Sequence, residues 1–133
     1  MDAREFLLIA ERFRNSRVEA ERRTSASRSY YALFNVVVST LAGKGVPFSE
    51  TDDDHRRLIS NLTNAGSTTA SSVGRLLNEL RTDRNRAAYR LDEMFESTTS
   101  ELVYSRAIKA LRQFDSISAA ELANIVKRIQ TLT

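Results

Sequence analysis

The chain has 133 residues, with 20 lysines and arginines against 17 acidic residues, one histidine and no cysteine. That length supports one domain with a real core. The missing cysteines exclude a disulfide framework and thiolate metal sites, and one histidine excludes a histidine metal cage within one subunit. The net charge is only +3, but nearly all the positive charge is arginine, whose planar fork suits phosphate better than lysine's point charge. No apolar run reaches the length of a membrane span. Asp2, Arg4 and Glu5 stand where a signal peptide would be apolar. A cytoplasmic chain with no membrane partner is therefore expected.

The chain reads as helix throughout, because one proline and four glycines interrupt it and no segment alternates with period two. A first helix is expected over about 2–15, with Phe6, Leu7, Ala10 and Phe13 on one side. A second runs over about 17–42, burying Tyr30, Phe34, Val37, Val38 and Leu41, and stops at Gly43 and Gly45. After a loop over 43–51, a third starts near Asp53, where Asp52, Asp53 and Asp54 suit the positive end of the helix dipole. It ends near Gly66.

The Ser/Thr-rich stretch 67–72 reads as a flexible connector, with Ser71 or Ser72 capping a fourth helix from Val73 to about Leu91. Thr98 and Glu101 form a capping-box pattern before Val103, Ala107, Ala110, Leu111 and Phe114. Ser118 and Glu121 form another before Leu122, Ile125, Val126 and Ile129. The expected architecture is an all-α antiparallel bundle of five to six helices in one domain over 1–133. Its core covers about 4–114, and a last helix covers about 119–131.

The stretch 80–91 (LRTDRNRAAYRL) is the most informative. At about 100° per residue, Arg84 falls among Leu77, Leu80, Ala87, Ala88 and Leu91. Arg81, Asn85 and Tyr89 form a polar line beside that stripe, each one turn from the next. A charge in an apolar stripe requires a partner, a cleft or an anionic ligand. An ion pair with Asp83, or with Glu79 of a partner subunit, accounts for Arg84 as well as phosphate does. Arg86 and Arg90 lie opposite the apolar stripe. They read either as a solvated face or as an RNA-backbone track. Tyr30 and Tyr31 read as packing residues. His55, in a first turn beside three aspartates, reads as an ordinary surface histidine.

Three segments, 25–41 (SASRSYYALFNVVVSTL), 54–59 (DHRRLI) and 80–91, together resemble the HEPN superfamily. The closest likeness is to the branch with a Ser-Arg-x-Tyr-Tyr-Ala-x-Phe helix and a later Arg-x-x-Arg-Asn-x-Ala-Asp-Tyr helix. Ser27, Arg28, Tyr30, Tyr31, Ala32 and Phe34 match the first pattern. Arg81, Arg84, Asn85, Ala87 and Tyr89 match the second. The resemblance covers roughly 4–114.

It implies a bundle that dimerises around the fourth helix, with the arginine motifs of two subunits facing one cleft. It further implies a metal-independent endoribonuclease, or an RNase-derived toxin of a toxin–antitoxin or phage-defence system, partnered by a nucleotidyltransferase-type antitoxin. Arg84, Asn85 and Tyr89 are the catalytic candidates on this reading. Arg81, Arg28 and Arg86 are the candidate RNA- or anion-binding residues. No cofactor and no metal are expected.

The chain departs from the later, Arg-bearing motif at two places. Tyr89 stands where nuclease members carry histidine, and Ala88 where the closer branch has aspartate. Asn35 also replaces a frequent histidine. Metal-free RNA cleavage uses the ribose 2′-hydroxyl as nucleophile. It needs a proton acceptor, a proton donor and positive charge on the phosphate. Tyrosine serves readily as an acid, and as a base only when its pKa is strongly lowered. A second reading stands beside the first: a non-catalytic HEPN module binding nucleotide, RNA or a partner protein through Arg84 and Arg81.

Overall fold

The computed structural model describes residues 1–132; Thr133 lies outside them. Among the described residues there are six α-helices and no strand. They are α1 (Phe6–Phe13), α2 (Glu19–Ala42), α3 (Asp53–Thr63), α4 (Thr68–Tyr89), α5 (Ser97–Asp115) and α6 (Ala119–Thr131). A single 3₁₀ turn, Ala3–Glu5, leads into α1. The Asp2 carboxylate accepts from the Arg4 N–H at 2.9 Å, and the Asp2 N–H donates to Glu5 at 3.2 Å. Two of the orphan donors that any helix start leaves open are thereby satisfied.

Three helix starts differ from the sequence expectation. The stretch 67–72 is no flexible connector, and neither Ser71 nor Ser72 caps α4. Ser67 is the cap, accepting from the Ala70 N–H at 3.1 Å, so α4 begins one turn earlier. Ala70 is buried, which anchors that added turn. The Thr98–Glu101 box does not form. Glu96 is the N-cap of α5 without a side-chain bond, and Thr98 already lies inside the helix. At α6 only half the box exists. Ser118 accepts from the Glu121 N–H, but the Glu121 carboxylate is taken by the Ser67 hydroxyl at 2.6 Å.

Side-chain pairs fix the helix directions. Ser25 donates to the Ala10 carbonyl while Arg28 lies over Phe6, so α1 and α2 run antiparallel. Arg23 reaches the carbonyl of Ala87 and Arg84 reaches Tyr31, so α2 and α4 do too. Ser72 meets Gln113 and Asp83 meets Arg106, which sets α4 against α5. The central helix α2 touches α1, α4 and α5. It therefore buries residues around much of its circumference. Ala26, Ala32, Leu33 and Val36 are buried beside Tyr30, Val37 and Leu41, whereas Phe34 and Val38 are only half-buried. Leu58 and Leu62 of α3, Leu77 and Leu80 of α4, Val103 of α5, and Ile125 and Ile129 of α6 complete one apolar cluster.

The α3–α4 crossing is close because Gly74 has no side chain. A Cβ there would meet Leu62 Cβ and Thr63 Oγ1 at 3.1 Å and the Ile59 carbonyl at 3.3 Å. Helix propensity alone favours alanine over glycine by about 1 kcal/mol. Overpacking at a fixed crossing costs about 1–3 kcal/mol. Gly74→Ala is therefore expected to lower the thermal midpoint despite its propensity gain. A raised midpoint would show that α3 shifts freely. Ser29 supplies the converse case, since its hydroxyl is buried with no partner among the described residues. Ser29→Ala is expected to leave the midpoint unchanged or raise it, while Ser25→Ala, which breaks a 2.6 Å bond, lowers it by about 1 kcal/mol of stability.

Candidate functional site: a cationic cleft between α2, α3 and α4

The site is set by how α4 ends. Arg23, near the start of α2, is oriented by Glu19 at 2.7 Å. Its guanidinium donates to the carbonyls of Ala87 at 2.9 Å, Arg90 at 3.1 Å, Arg86 at 3.3 Å and Glu93. These lie at and beyond the C-terminus of α4, where orphan carbonyls and the negative end of the dipole call for a cation. Arg22 is buried beside it and donates to the carbonyls of Phe95 and Ser16, both at 2.8 Å. The last turn of α4, which carries Asn85 and Tyr89, is therefore tied to α2.

Against this scaffold, Arg81, Arg84, Asn85 and Tyr89 of α4 face Tyr31 of α2 and Asp52 and His55 at the start of α3. Together they line a cleft of about 370 Å³. Arg84 does not lie within the buried stripe. Ala88 and Leu91, expected to flank it there, are exposed, and the buried charge of α4 is Asp83. Asp83 faces α5, where Arg106 lies at 3.2 Å, with Arg86 at 3.8 Å. Burial raises its pKa against the pull of those two arginines. Glu79 is likewise taken, by Arg75 at 3.3 Å and Arg106 at 3.6 Å.

Arg84 thus has no carboxylate partner among the described residues. Its Nη1 donates to Asn85 Oδ1 at 2.7 Å, its Nη2 donates to the Tyr31 hydroxyl, and its plane lies 5.1 Å from the Tyr31 ring centroid. Arg81 makes neither a hydrogen bond nor an ion pair among the described residues. Tyr89 is 73% exposed at the rim.

His55 is not an ordinary surface side chain. It is half-buried, stacks on Phe34 with ring centroids 4.2 Å apart, and its Nδ1 is bonded to the hydroxyl of the fully buried Tyr30. Tyr30 and Tyr31 therefore pack, as expected, but also carry polar contacts of the site. A signal for His55 was present in the sequence. It stands three, four and seven residues before Leu58, Ile59 and Leu62, on the apolar stripe of α3. Burial, Arg81 and Arg84 hold its pKa below the usual histidine value, against the opposing pull of Asp52 and Asp54. Burial also raises the pKa of Tyr30.

The other two candidates fall outside this cleft. Arg28 lies over the Phe6 ring at 5.3 Å, where α1 meets α2. Arg86 points to the adjoining groove of about 310 Å³, which shares Asn85 and Tyr89 with the cleft, and lies 3.9 Å from Glu93. A larger hollow of about 600 Å³ lies between the N-terminal turn and α2, with Arg4, Phe6 and Asn35 on its walls. Arg4 is committed to Asp115 at 2.6 Å, so that hollow gathers no comparable set of free donors.

Comparison with protein-family models, with curated proteins and with solved structures gives no match for this chain. Among the described residues no helix is long and apolar enough to cross a membrane. The cleft's own chemistry is clear: two arginines without carboxylate partners, an amide, two phenols and an imidazole surround a space with one carboxylate on its wall. Such a set attracts and orients an oxyanion.

The lowered pKa of His55 sets a pH dependence. Between its folded value and about 6.5, the unfolded chain binds more protons, so stability rises with pH through that window. Asp54, which is buried yet accepts from Ser49 and Thr51, has a lowered pKa and acts further down, below the ordinary carboxylate value. Thermal midpoints should therefore fall as pH drops from 7 to 5, and fall less steeply in His55→Gln. Parallel slopes for the two proteins would remove His55 from this role.

Proposed function

We propose that this protein is a HEPN-type, RNA-directed protein that acts through the α2–α3–α4 cleft as a metal-independent endoribonuclease or RNase-derived toxin. The observation that carries this reading is the uncancelled positive charge of Arg81 and Arg84, side by side with Asn85, Tyr89 and His55. In a transphosphorylation, the ribose 2′-oxygen attacks phosphorus and the P–O5′ bond breaks. The 2′-proton leaves to a base, and a proton is delivered to O5′. Arg84 and Arg81 would stabilise the charge on the phosphoryl oxygens. Tyr89, exposed at the rim, would serve as the proton donor. Asn85 holds Arg84 in place. A homodimer that joins two such clefts would double the charge, and Tyr89 at the rim, with Leu91 and Met94 exposed in the segment that follows α4, offers apolar surface for that contact. An RNase-derived toxin of this kind would be held in check by a nucleotidyltransferase-type antitoxin.

One observation favours the second reading, a non-catalytic module binding RNA, nucleotide or a partner protein. The cleft presents many donors, its one histidine has Nδ1 already bonded to Tyr30, and the carboxylate on its wall, Asp52, is the one group left to act as a base among the residues lining it. The two readings separate in one assay. Purified protein is incubated with RNA in EDTA, alongside Arg84→Ala and Tyr89→Phe. Products ending in a 2′,3′-cyclic phosphate are expected from the wild type. A loss of about 100-fold or more in Arg84→Ala is expected, as for removal of a preorganised oxyanion donor. Cleavage no greater than in Arg84→Ala, across several RNAs, transfers the protein to the binding reading.

A further inference from the structure

Arg81 and Arg84 face the cleft from α4, and His55 faces it from α3. The orientation of His55 is the most constrained of the three. Tyr30 is fully buried, and burial keeps its phenol protonated. Its hydroxyl proton has no acceptor other than His55 Nδ1 among the described residues. The hydrogen-bond network thus assigns Tyr30 as donor and Nδ1 as acceptor. Stacking on Phe34 holds the ring in that plane. A neutral His55 then carries its proton on Nε2, the nitrogen with no partner among the described residues.

An Nε2–H and two guanidinium forks form a donor-only set, with Asp52 as the one opposing carboxylate on the wall of the cleft. That is the complement of a phosphoryl group, whose exposed oxygens only accept. We propose that His55, oriented by Tyr30, joins Arg81 and Arg84 in gripping one phosphoryl group, and that this anion and a proton on His55 bind together. The proposal rests on the RNA-directed reading of the cleft for the carrier of that phosphoryl group, and on geometry alone for the subsite.

The coupling has a physical cause. In the empty cleft, two arginines and partial burial oppose charge on the imidazole. A bound anion cancels the arginines' field and accepts a charge-assisted bond from Nε2. This gain works against the cost at Nδ1, where an imidazolium turns the Tyr30 hydroxyl from donor to acceptor, and moves the balance toward the imidazolium. By reciprocity, protonation of His55 must tighten the anion by the same factor. The side chains facing His55 are Tyr30, Tyr31 and Phe34 from α2, Asp52 and Asp54 from the start of α3, and Arg81, Arg84 and Tyr89 from α4. Among these residue types, histidine is the one that ordinarily changes charge between pH 5 and 8. The same geometry denies His55 the role of general base while it is neutral, because one ring nitrogen is engaged and the other is protonated.

The one histidine of the chain gives a single imidazole signal set, which makes NMR titration the direct test. Sulfate is the probe, since it stays a dianion where a phosphate monoester titrates near pKa about 6. Sodium chloride at matched ionic strength is the control. The His55 pKa is expected to rise by about one unit in saturating sulfate, equivalent to about tenfold tighter binding at pH 5 than at pH 8. Arg81→Ala should abolish the rise and Asp52→Asn should tighten sulfate. In Tyr30→Phe the ¹⁵N spectrum of neutral His55 should show both tautomers, where the wild type shows Nε2–H alone.

A His55 titration indifferent to sulfate overturns the proposal, whether or not the protein cleaves RNA. So does a rise that survives in Arg81→Ala and Arg84→Ala, because it would then be general screening. A short single-stranded RNA and a nucleoside 3′-monophosphate then distinguish the carriers. A rise with the nucleotide but not with the RNA keeps the subsite and removes the RNA-directed reading.

Discussion

Two adjacent arginines outside the cleft govern this structure. Arg22 and Arg23 sit where three chain segments converge: the α1–α2 link, the end of α4 and the connector before α5. Their partners are mostly backbone carbonyls, together with the Glu19 carboxylate. Hydrogen bonds from a charged donor contribute about 1.5–3 kcal/mol each, and a buried guanidinium left without them is strongly destabilising. The pair therefore compels the end of α4 and the following connector to stay within reach of α2. The positions of Asn85 and Tyr89 follow from that compulsion. Part of the arginine surplus in this chain is scaffold, so surplus by itself says little about phosphate.

What gives the cleft its sign is a division of labour between neighbours on α4. Asp83 and Arg84 are consecutive, so they point about 100° apart. One turns toward Arg106 of α5, which absorbs its charge together with Arg86 of its own helix. The other turns toward α2, where it meets the neutral oxygens of Asn85 and Tyr31 and the aromatic face of Tyr31. Acidic and basic residues are nearly balanced over the chain, yet the balance is struck locally on the α5 side and left open on the α3 side. A protein's potential depends on such placement far more than on its net charge.

The helices were legible because their apolar spacing is strong and breakers are few. Their starts were less so. Ser67 was hidden in a run of hydroxyl residues whose composition resembles a linker, although only one of them needed to cap. Thr98 and Glu101 had the right spacing for a box but lay inside a helix that begins at Ser97. The polar line Arg81–Asn85–Tyr89 came directly from a one-turn repeat, and those three do line the cleft. Arg28 shares α2 with Tyr31 but faces α1, a matter of helix rotation that a single sequence fixes poorly. His55 lay on the apolar stripe of its helix, but three neighbouring aspartates suggested solvent. Only the docking of α3 on α4, which brings the His55 side chain against α2, shows that its ring covers Phe34 and meets a buried phenol.

The hydroxyl of Ser67 works in two directions. It accepts from the Ala70 N–H at the start of α4 and donates to Glu121 in the first turn of α6. One oxygen thus joins the beginnings of two helices far apart in sequence. Loosening of α6 would strip Ser67 of its acceptor as well as expose Ile125 and Ile129. The front turn of α4 would then fray in step with a helix it scarcely touches. In the language of local unfolding, α6 and the first turn of α4 form one cooperative unit. The arginine-bearing end of the same helix, held by Arg23, belongs to another.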